Sequence, residues 1–274
     1  MPHNMISQND GWANIAPGAA PSPILYMDTM RATEFSQFYK QHTYSLLRLA
    51  AGMTVLDVGC GTGDDVRALS QVVGNTGKVV GIDTSETMIS EARARSEPGI
   101  LSVDFRQADV HHLPFGADSF DRCRADRVFQ HLEQPQQALQ EMCRVLRPEG
   151  LVVISEPDWE TLVIDGVALA LLQKFVGFIC SRIVKNARIG RQLPNLFKAA
   201  GLQQVTVTAG AFAITDYTLA NKLWGLERNA LRAMQANVFT QAEYAEWLTT
   251  LQQAGQADRF FGSATGFSVS GQKK

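Results

Sequence analysis

The stretch that decides the fold is Val55-Leu56-Asp57-Val58-Gly59-Cys60-Gly61-Thr62-Gly63. It begins as an apolar run typical of a buried strand, passes through a glycine-rich turn, and leads into residues 64–73, whose apolar side chains follow helical spacing. Gly59 and Gly61 let the backbone approach a ligand closely, and the helix start after Gly63 offers free N–H groups. Because any turn between a strand and a helix can use glycine, this stretch alone does not establish a binding site.

Strand-like runs and helical patterns alternate after this stretch. Further β-rich runs cover residues 78–82, 103–105, 120–125 and 151–154, with helical patterns between them. The last of these helices begins at Pro135 and stops at Arg147-Pro148-Glu149-Gly150. Strict alternation of strand and helix predicts right-handed βαβ units, and therefore a parallel sheet with helices on both faces.

The regular alternation ends after Glu156. Apolar residues at helical spacing predict helices between residues 171 and 183 and between 217 and about 251. Strands are predicted over 204–208 and 260–269. We expect helical insertions at about 157–190 and 215–251 within a main domain of residues 51–274. Residues 24–50 are expected to form a helical segment before that domain, and residues 1–23 a flexible arm.

Composition excludes several classes of protein. Among 274 residues, 25 Lys and Arg face 27 Asp and Glu, so no excess of positive charge favours binding to nucleic acid. The chain has no apolar run that could span a membrane and no signal-peptide pattern, so we expect a cytoplasmic protein without membrane contact. Its four cysteines are far apart, which favours buried free thiols over disulfides or a metal site.

The second β-rich run ends at Asp83, which places a carboxylate at the tip of the strand next to the glycine turn. A carboxylate at this position can accept hydrogen bonds from both hydroxyls of a ribose. Asp57, however, ends the first strand where a pyrophosphate would meet like charge, so a cationic ligand suits the turn better than a dinucleotide. The third run leads to Asp109, whose carboxylate could meet an adenine amino group.

Five segments resemble the class I S-adenosylmethionine-dependent methyltransferases, in particular the small-molecule group related to ubiquinone and menaquinone methyltransferases. They are LDVGCGTG (56–63), VVGIDTSETMI (79–89), ADVHHLPF (108–115), SFDR (119–122) and ALQEMCRVLRPEG (138–150). The resemblance implies an α/β, Rossmann-like sheet of seven strands, mostly parallel with an antiparallel last strand. It also implies S-adenosyl-L-methionine as cofactor, with S-adenosyl-L-homocysteine as product, and a helical lid formed by residues 24–50.

The resemblance also assigns roles to single residues on the cofactor side. Gly59, Cys60, Gly61 and Gly63 would lie under the methionine part of the cofactor, Asp57 would meet its amino group, and Asp83 its ribose hydroxyls. Thr84, Met88, Ala108, Asp109 and Val110 would surround the adenine, and Arg124 and Ala125 would line the floor beneath the sulfonium. Apart from the resemblance, we expect Tyr26 to cover the cofactor from the N-terminal lid.

The chain departs from the family pattern in three places, one of them Glu149, which replaces the usual glycine after Pro148. Arg122 and Arg124 are charged where this strand is usually apolar or small. No N/D-P-P-Y/F tetrapeptide follows the fourth strand, whereas many methyltransferases that act on nucleic-acid bases and glutamine amides have one. This absence weakens the case for a nucleic-acid or protein-amide substrate.

His131 and Glu156 are the candidates for a general base, because both follow strands that end beside the cofactor. We expect methyl transfer to a small-molecule acceptor, with a hydroxyl oxygen slightly ahead of nitrogen or carbon. The alternatives are a methyltransferase that acts on protein or RNA, and a catalytically inactive cofactor-binding partner protein. We expect a monomer or a homodimer without a metal ion.

Overall fold

The strands of this chain form one sheet. The computed structural model describes residues 23–96 and 102–274, and within them the strands are β1 Thr54–Val58, β2 Lys78–Asp83, β3 Val103–Gln107, β4 Phe120–Asp126, β5 Leu146–Ile164, β6 Gln203–Ile214 and β7 Gly262–Gln272. Their order across the sheet is β3-β2-β1-β4-β5-β7-β6. The first five strands are parallel, whereas β7 runs antiparallel to both β5 and β6. The predicted Rossmann-like sheet with an antiparallel last strand is confirmed.

The helices cover both faces of the sheet and form a separate layer beyond it. Within the described residues they are α1 Pro23–Arg31, α2 Glu34–Leu46, α3 Asp64–Val73, α4 Glu86–Ala94, α5 Pro135–Val145, α6 Leu169–Phe178, α7 Ile189–Ala199, α8 Tyr217–Trp224, α9 Leu226–Gln235 and α10 Gln241–Gln256. In that part of the chain, no helix combines the length and the apolar character needed to cross a membrane.

Alternation along β1 shows how the two faces are covered. Val55 packs in an apolar cluster with α3 and α4, whereas Leu56 points the other way into a cluster with α5 and α7. Both side chains are fully buried. Burial on both faces explains why β1 reads as a continuous apolar run, and it confirms the predicted helices on both faces.

The boundary predicted at about residue 157 for the first helical insertion is wrong. β5 continues to Ile164, and helix α6 begins only at Leu169. The strand continues because β7 supplies a partner, with pairs from Leu151↔Gln272 to Asp158↔Thr265 and again at Val163↔Ser263. The intervening irregularity is bridged by the Thr265 N–H, which donates to Thr161 Oγ1 at 2.7 Å. Polar residues in this segment hide the strand in the sequence.

Helices α6, α8, α9 and α10 share a second core that does not extend under β1 to β4. Trp247 lies at its centre, fully buried, with its ring 4.3 Å from that of Phe175. The indole N–H donates to the Leu226 carbonyl at 3.2 Å. This core supports the helical wall that faces β6 and β7.

Helices α1 and α2 form the N-terminal segment that was predicted to be a lid. Asp28 accepts two hydrogen bonds from Arg95, at 2.6 and 3.1 Å, which ties α1 to the end of α4. Residues of α2 bind Asp65 in the first turn of α3. The flexible arm predicted for residues 1–23 lies, up to residue 22, outside the described residues.

Candidate active site

The glycine-rich turn after β1 requires glycine for its backbone and for its packing. Gly59, Gly61 and Gly63 have φ values of 66°, 52° and 78°, in the left-handed region that side chains disfavour. A Cβ on Gly59 would lie 2.3 Å from Val128 Cγ2, and one on Gly63 would lie 2.6 Å from the Phe105 ring. The turn is therefore held close to the neighbouring strands, with no space for side chains.

The Asp83 carboxylate closes this turn from the neighbouring strand. Its Oδ2 accepts the Gly61 N–H at 3.1 Å, and its Oδ1 accepts the Ser85 N–H at 2.9 Å. Burial raises its pKa, and the backbone hydrogen bonds oppose that rise. A carboxylate has about four acceptor positions, so at most about two remain for ligand hydroxyls.

The tip of β3 lies beside Asp83. The Ala108 N–H donates to the Asp83 carbonyl at 3.0 Å, and the Gln107 amide donates to the Thr84 carbonyl at 2.9 Å. Asp109 Oδ1 accepts the His111 N–H at 2.9 Å and lies 2.6 Å from His111 Nδ1. Burial acts to raise the pKa of Asp109, but the bonds from His111 outweigh it and lower the pKa.

Residues predicted around the adenine therefore share one edge of the sheet. Met88 follows the cap of α4, where its N–H donates to Ser85 Oγ at 3.4 Å. Val110 is buried in the core behind Asp109. Cys60 is buried as well, with its N–H donating to the Ile82 carbonyl at 2.9 Å, and burial raises the pKa of its thiol.

Arg124 is buried beneath the turn and bound to three carboxylates. The register of β1 and β4 sets Asp57 beside Arg124, and both residues are 1% exposed. Arg124 Nη1 donates to Asp57 Oδ1 at 2.9 Å and to Asp65 Oδ2 at 3.0 Å, and Nη2 donates to Asp126 Oδ2 at 3.0 Å. Ala125 points to the opposite face and packs in the core.

The charges in this cluster set each other's ionisation. Burial raises the pKa of Asp57 to about 6, although the Arg124 charge opposes the rise. Burial also acts to raise the pKa of Asp65, but the charges of Arg124 and Lys40 lower it below its ordinary value. Burial acts to lower the Arg124 pKa, but its three carboxylates hold that pKa well above the ordinary value. Arg124 is therefore permanently charged.

The lid binds the same cluster. Lys40 Nζ and Tyr44 Oη donate to Asp65 Oδ1 at 2.7 and 2.5 Å, and Tyr39 Oη donates to Asp126 Oδ2 at 2.8 Å. Met27 of α1 lies over the glycine turn, since a Cβ on Gly61 would be 3.0 Å from its Cε. The lid thus covers the turn and reaches the tip of β4 through one hydrogen-bonded network.

A cavity of about 1190 Å³ lies on the other side of Asp126. Its walls come from the lid, from the ends of β4 and β5, from β6 and β7, and from α8, and they are more apolar than polar. Typical ligand pockets measure about 300–1000 Å³. Tyr26 lines this cavity and stacks beside Arg127, whose Nη1 donates to its hydroxyl at 3.3 Å.

The two predicted general bases differ in their relation to this cavity. Among the described residues, Glu156 belongs to its lining and His131 does not. Glu156 Oε1 accepts the Phe129 N–H at 2.5 Å, and burial raises the pKa of its carboxyl to about 8. Burial lowers the pKa of His131 to about 4, with Arg127 and Lys185 acting in the same direction. At neutral pH both groups are therefore uncharged.

A family model described as a methyltransferase domain matches residues 49–255. The chain belongs to the methyltransferase family. This confirms the predicted class I family, and with it S-adenosylmethionine as the cofactor that the family uses.

The chain is similar to one uncharacterized protein over most of its length and to a named methyltransferase over part of it. The methyltransferase is 37% identical over 251 residues to an uncharacterized 37.1 kDa protein in transposon Tn4556 of Streptomyces fradiae, covering 92% of this chain and 71% of that protein. It is 41% identical to a demethylmenaquinone methyltransferase of Staphylococcus aureus over 46% of this chain and 52% of that protein. The chain thus spans about half of this named relative.

A solved structure supports the fold. The YcgJ protein from Bacillus subtilis matches with a TM-score of 0.62 and 18% identity, over 87% of this chain and 99% of that one. At this identity the likeness concerns the fold.

Sequence reasoning missed several residues of this methyltransferase that lie at the site. Asp65, Asp126 and Lys40 complete the Arg124 cluster, and Arg127 reaches the cavity. One signal for them exists in the sequence, because an arginine in a buried strand requires charged partners. The sequence does not show which distant carboxylates those partners are.

Proposed function

We propose that this methyltransferase transfers a methyl group from S-adenosylmethionine to a hydroxyl oxygen of a small-molecule acceptor. The observation that carries the proposal is the largely apolar cavity between the lid and strands β5, β7 and β6, which meets the predicted cofactor side at Asp126. Its lining suits a mid-sized, partly hydrophobic molecule, since such pockets surround most of a ligand's surface.

The residues at the carboxyl edge of β1 to β3 fit this cofactor. Asp83 keeps acceptor positions for the two ribose hydroxyls, and Asp109 with Ala108 and Val110 would hold the adenine edge, bordered by Thr84 and Met88. Gly59, Gly61 and Gly63 leave backbone exposed at alternate positions of the turn, where the methionine part would lie with Cys60. When bound, the cofactor supplies a methyl group on a positively charged sulfur, which an acceptor atom displaces in line.

Asp57 would hold the amino group of the cofactor. Arg124 occupies Oδ1 of this carboxylate, and we assign the amino group to Oδ2. A cation at Oδ2 would keep Asp57 ionised against the burial that raises its pKa to about 6. Arg124 and Ala125 remain the proposed floor of the site.

The chain's main contribution to the reaction is to position the acceptor and exclude water. The lid and α8 both contribute walls of the cavity. Of the two predicted bases, Glu156 lies at the acceptor cavity, so we assign the acceptor contact to it first, and the role of His131 stays a prediction. The cytoplasmic location, the monomer or homodimer, and the lack of nucleic-acid and membrane partners also stay predictions.

Formation of S-adenosylhomocysteine tests the proposal. Purified protein with S-adenosylmethionine is offered hydroxylated small molecules, an RNA and an unfolded protein, with product detected by mass spectrometry. We expect methyl ethers from the small molecules and loss of product in Asp83→Ala. The matched control is Asp104→Ala, which removes an outer carboxylate of β3 that binds Lys78 and Arg106.

The outcomes separate the alternatives. Product on the RNA or the protein alone would identify a macromolecule methyltransferase instead. Cofactor binding without product from any acceptor would identify an inactive partner protein. Equal loss of product in the two aspartate variants would contradict the role given to Asp83.

A further inference from the structure

The cavity has a polar inner end and an apolar outer part. The inner end contains Asp126, Arg127, Gln130 and Glu156, at the tips of β4 and β5. The outer part contains Leu219, Leu223 and Trp224 of α8 facing the small residues of β6. An acceptor that fills this space carries its reacting hydroxyl at the inner end.

The inner end holds no ready proton acceptor at neutral pH among its predicted bases. The Glu156 carboxyl is protonated below its pKa of about 8, and its Oε1 already accepts the Phe129 N–H. His131 is absent from the lining that the described residues form. Neither predicted base therefore offers a ready proton acceptor to a hydroxyl bound at the inner end.

Arg127 is the cation at this inner end, and its hydrogen-bonding capacity is largely unused. Its guanidinium carries five N–H donors, and within the described residues it makes one hydrogen bond, from Nη1 to the Tyr26 hydroxyl at 3.3 Å. Its Nε is buried without a hydrogen-bond partner. The side chain is 20% exposed, so the group is not sealed off.

The backbone of Arg127 is fixed at the edge of the cavity, in a conformation that six other non-glycine residues among those described also adopt. Its φ of 57° lies in the left-handed region, which a residue with a long side chain rarely adopts. The Arg127 N–H donates to the Ser155 carbonyl at 2.8 Å, which fixes this conformation against β5. Strained residues that persist are concentrated at ligand-binding and active sites.

The nearest carboxylate, Asp126, does not occupy the N–H donors of Arg127. Asp126 Oδ1 lies 3.8 Å from Arg127 Nε, too far for a hydrogen bond. Asp126 Oδ2 accepts from Arg124 Nη2 at 3.0 Å and from Tyr39 Oη at 2.8 Å. Arg124 shares its single charge with two other carboxylates, so Asp126 remains an ion-pair partner of Arg127 through Oδ1 without accepting a hydrogen bond from it.

We propose that Arg127 binds the acceptor oxygen as an oxyanion, and that the acceptor is an apolar molecule with an acidic, phenolic or enolic hydroxyl. This inference rests on the proposed function of the same site. In the reaction the hydroxyl proton leaves to solvent on binding and the oxygen bonds to the methyl carbon. The carbon–sulfur bond breaks with its electron pair going to sulfur.

The size of the pKa shift that one positive charge can cause restricts the acceptor to this class. An opposite charge in contact shifts a pKa by about 1–3 units. That shift brings a phenol with a pKa of about 10 close to neutrality. It leaves an aliphatic alcohol, whose hydroxyl is about as weakly acidic as water, fully protonated.

Ionisation of a bound probe tests the inference without turnover. Protein saturated with S-adenosylhomocysteine is titrated with 4-nitrophenol between pH 5 and 7.5, and the absorbance of the phenolate is recorded. The ionisable groups around Arg127 are Tyr26, Tyr39, Asp65, Asp126 and His131. Burial lowers the pKa of His131 and raises that of Tyr39, so neither titrates in this range.

We expect the wild-type protein to increase the ionisation constant of bound 4-nitrophenol by about tenfold or more, a shift of about one pKa unit. Arg127→Met removes the shift, and Arg127→Lys, which retains the charge without the planar fork, keeps part of it. Lys222→Met is the matched control, because Lys222 lines the α8 end of the same cavity. Retained binding of S-adenosylhomocysteine shows that each variant is folded.

Failure of the inference and failure of the proposed function give different results. A probe that does not bind, that stays protonated, or that ionises equally in Arg127→Met overturns the inference. Equal methylation of 4-nitrophenol and 4-nitrobenzyl alcohol also overturns it, while the proposed function stands. A probe ionised through Arg127, together with no methyl transfer to any acceptor, overturns the proposed function alone.

Discussion

The two halves of the sheet differ in whether their buried ionisable groups are charged. Under the glycine turn, Arg124 stays ionised because three carboxylates surround it within 3.0 Å. At the end of β5, Glu156 forms no ion pair with any of the described residues, and its pKa of about 8 keeps it protonated at neutral pH. The cofactor half is therefore a preformed ionic framework, whereas the inner end of the acceptor half is neutral apart from Arg127 and its neighbour Asp126.

This difference fits the ligands that the two halves are proposed to hold. A cationic cofactor gains from carboxylates that are already ionised and fixed, because the protein need not rearrange when it binds. An apolar acceptor gains from a wall whose carboxyl group carries no charge, because burying an unpaired charge is costly. Substitutions can test this contrast between the ion-paired Arg124 cluster and the protonated Glu156.

The largest expected effect comes from breaking the ionic framework. Arg124→Met leaves three buried carboxylates without their shared partner, and we expect the free energy of unfolding to fall by about 3–5 kcal/mol. Urea denaturation measures it. Arg122→Met is the control, since Arg122 lies at the outer end of the same strand and contacts the Leu47 carbonyl at 2.6 Å. Equal losses in the two variants would show that the Arg124 cluster contributes no more to the free energy of unfolding than the contact made by Arg122.

The glycine turn gives the next largest effect. Gly59→Ala places a Cβ 2.3 Å from Val128 Cγ2 and keeps a φ of 66°, so we expect a loss of about 1–3 kcal/mol. Adding Val128→Ala removes the part of this loss that comes from the steric contact and leaves the part that comes from the left-handed backbone. Full recovery in the double variant would contradict the role given to the backbone, and no recovery would contradict the role given to the contact.

Glu156 makes folding stability depend on pH. Its folded pKa of about 8 lies above the ordinary value of 4.5, so the folded state binds the proton more tightly than the unfolded chain does. The resulting stability is fully present below pH 4.5 and is lost as the pH rises to about 8, at up to about 1.4 kcal/mol per pH unit. Glu156→Gln removes this slope in denaturation curves across that range. An unchanged slope in the variant would mean that Glu156 is ionised in the folded protein.

The smallest effect is expected at the outer edge of the lid. Asp28→Asn breaks the pair with Arg95, whose partners are partly exposed, and we expect a loss of about 0–1 kcal/mol. Hydrogen exchange in α1 should increase, while exchange in α2, which is held by Asp65, stays unchanged. Glu91→Gln, which removes the other partner of Arg95, serves as the control. Faster exchange throughout α2 would show that the two lid helices open together.

Much of the cofactor half could be predicted from the sequence, because the local spacing of residues determines where its turns and strand ends lie. The turn at Gly59–Gly63 and the carboxylate of Asp83 follow strands whose apolar runs are continuous, so their placement at one edge follows from parallel topology alone. The predicted family, sheet and cofactor are confirmed. The assignment of single residues to parts of the cofactor stays a prediction.

The acceptor half could not be read in the same way. The cavity is formed by side chains from seven separate elements, and β5 extends through polar residues to Ile164 because β7 pairs with it. The partners of Arg124 come from β1, α3 and β4, and Asp65 lies 59 positions from Arg124 in the chain. Long-range pairing of this kind leaves no periodic pattern in one sequence.

The central claim is that the edge of β1 to β3 binds S-adenosylmethionine through Asp83. Calorimetric titration of the wild-type protein and of Asp83→Ala with S-adenosylmethionine and S-adenosylhomocysteine tests it most directly. We predict micromolar binding of both by the wild type and a loss of affinity of about tenfold or more in the variant, because a charged hydrogen bond contributes about 1.5–3 kcal/mol. No binding by the wild type, or equal affinity in the folded variant, would contradict the account.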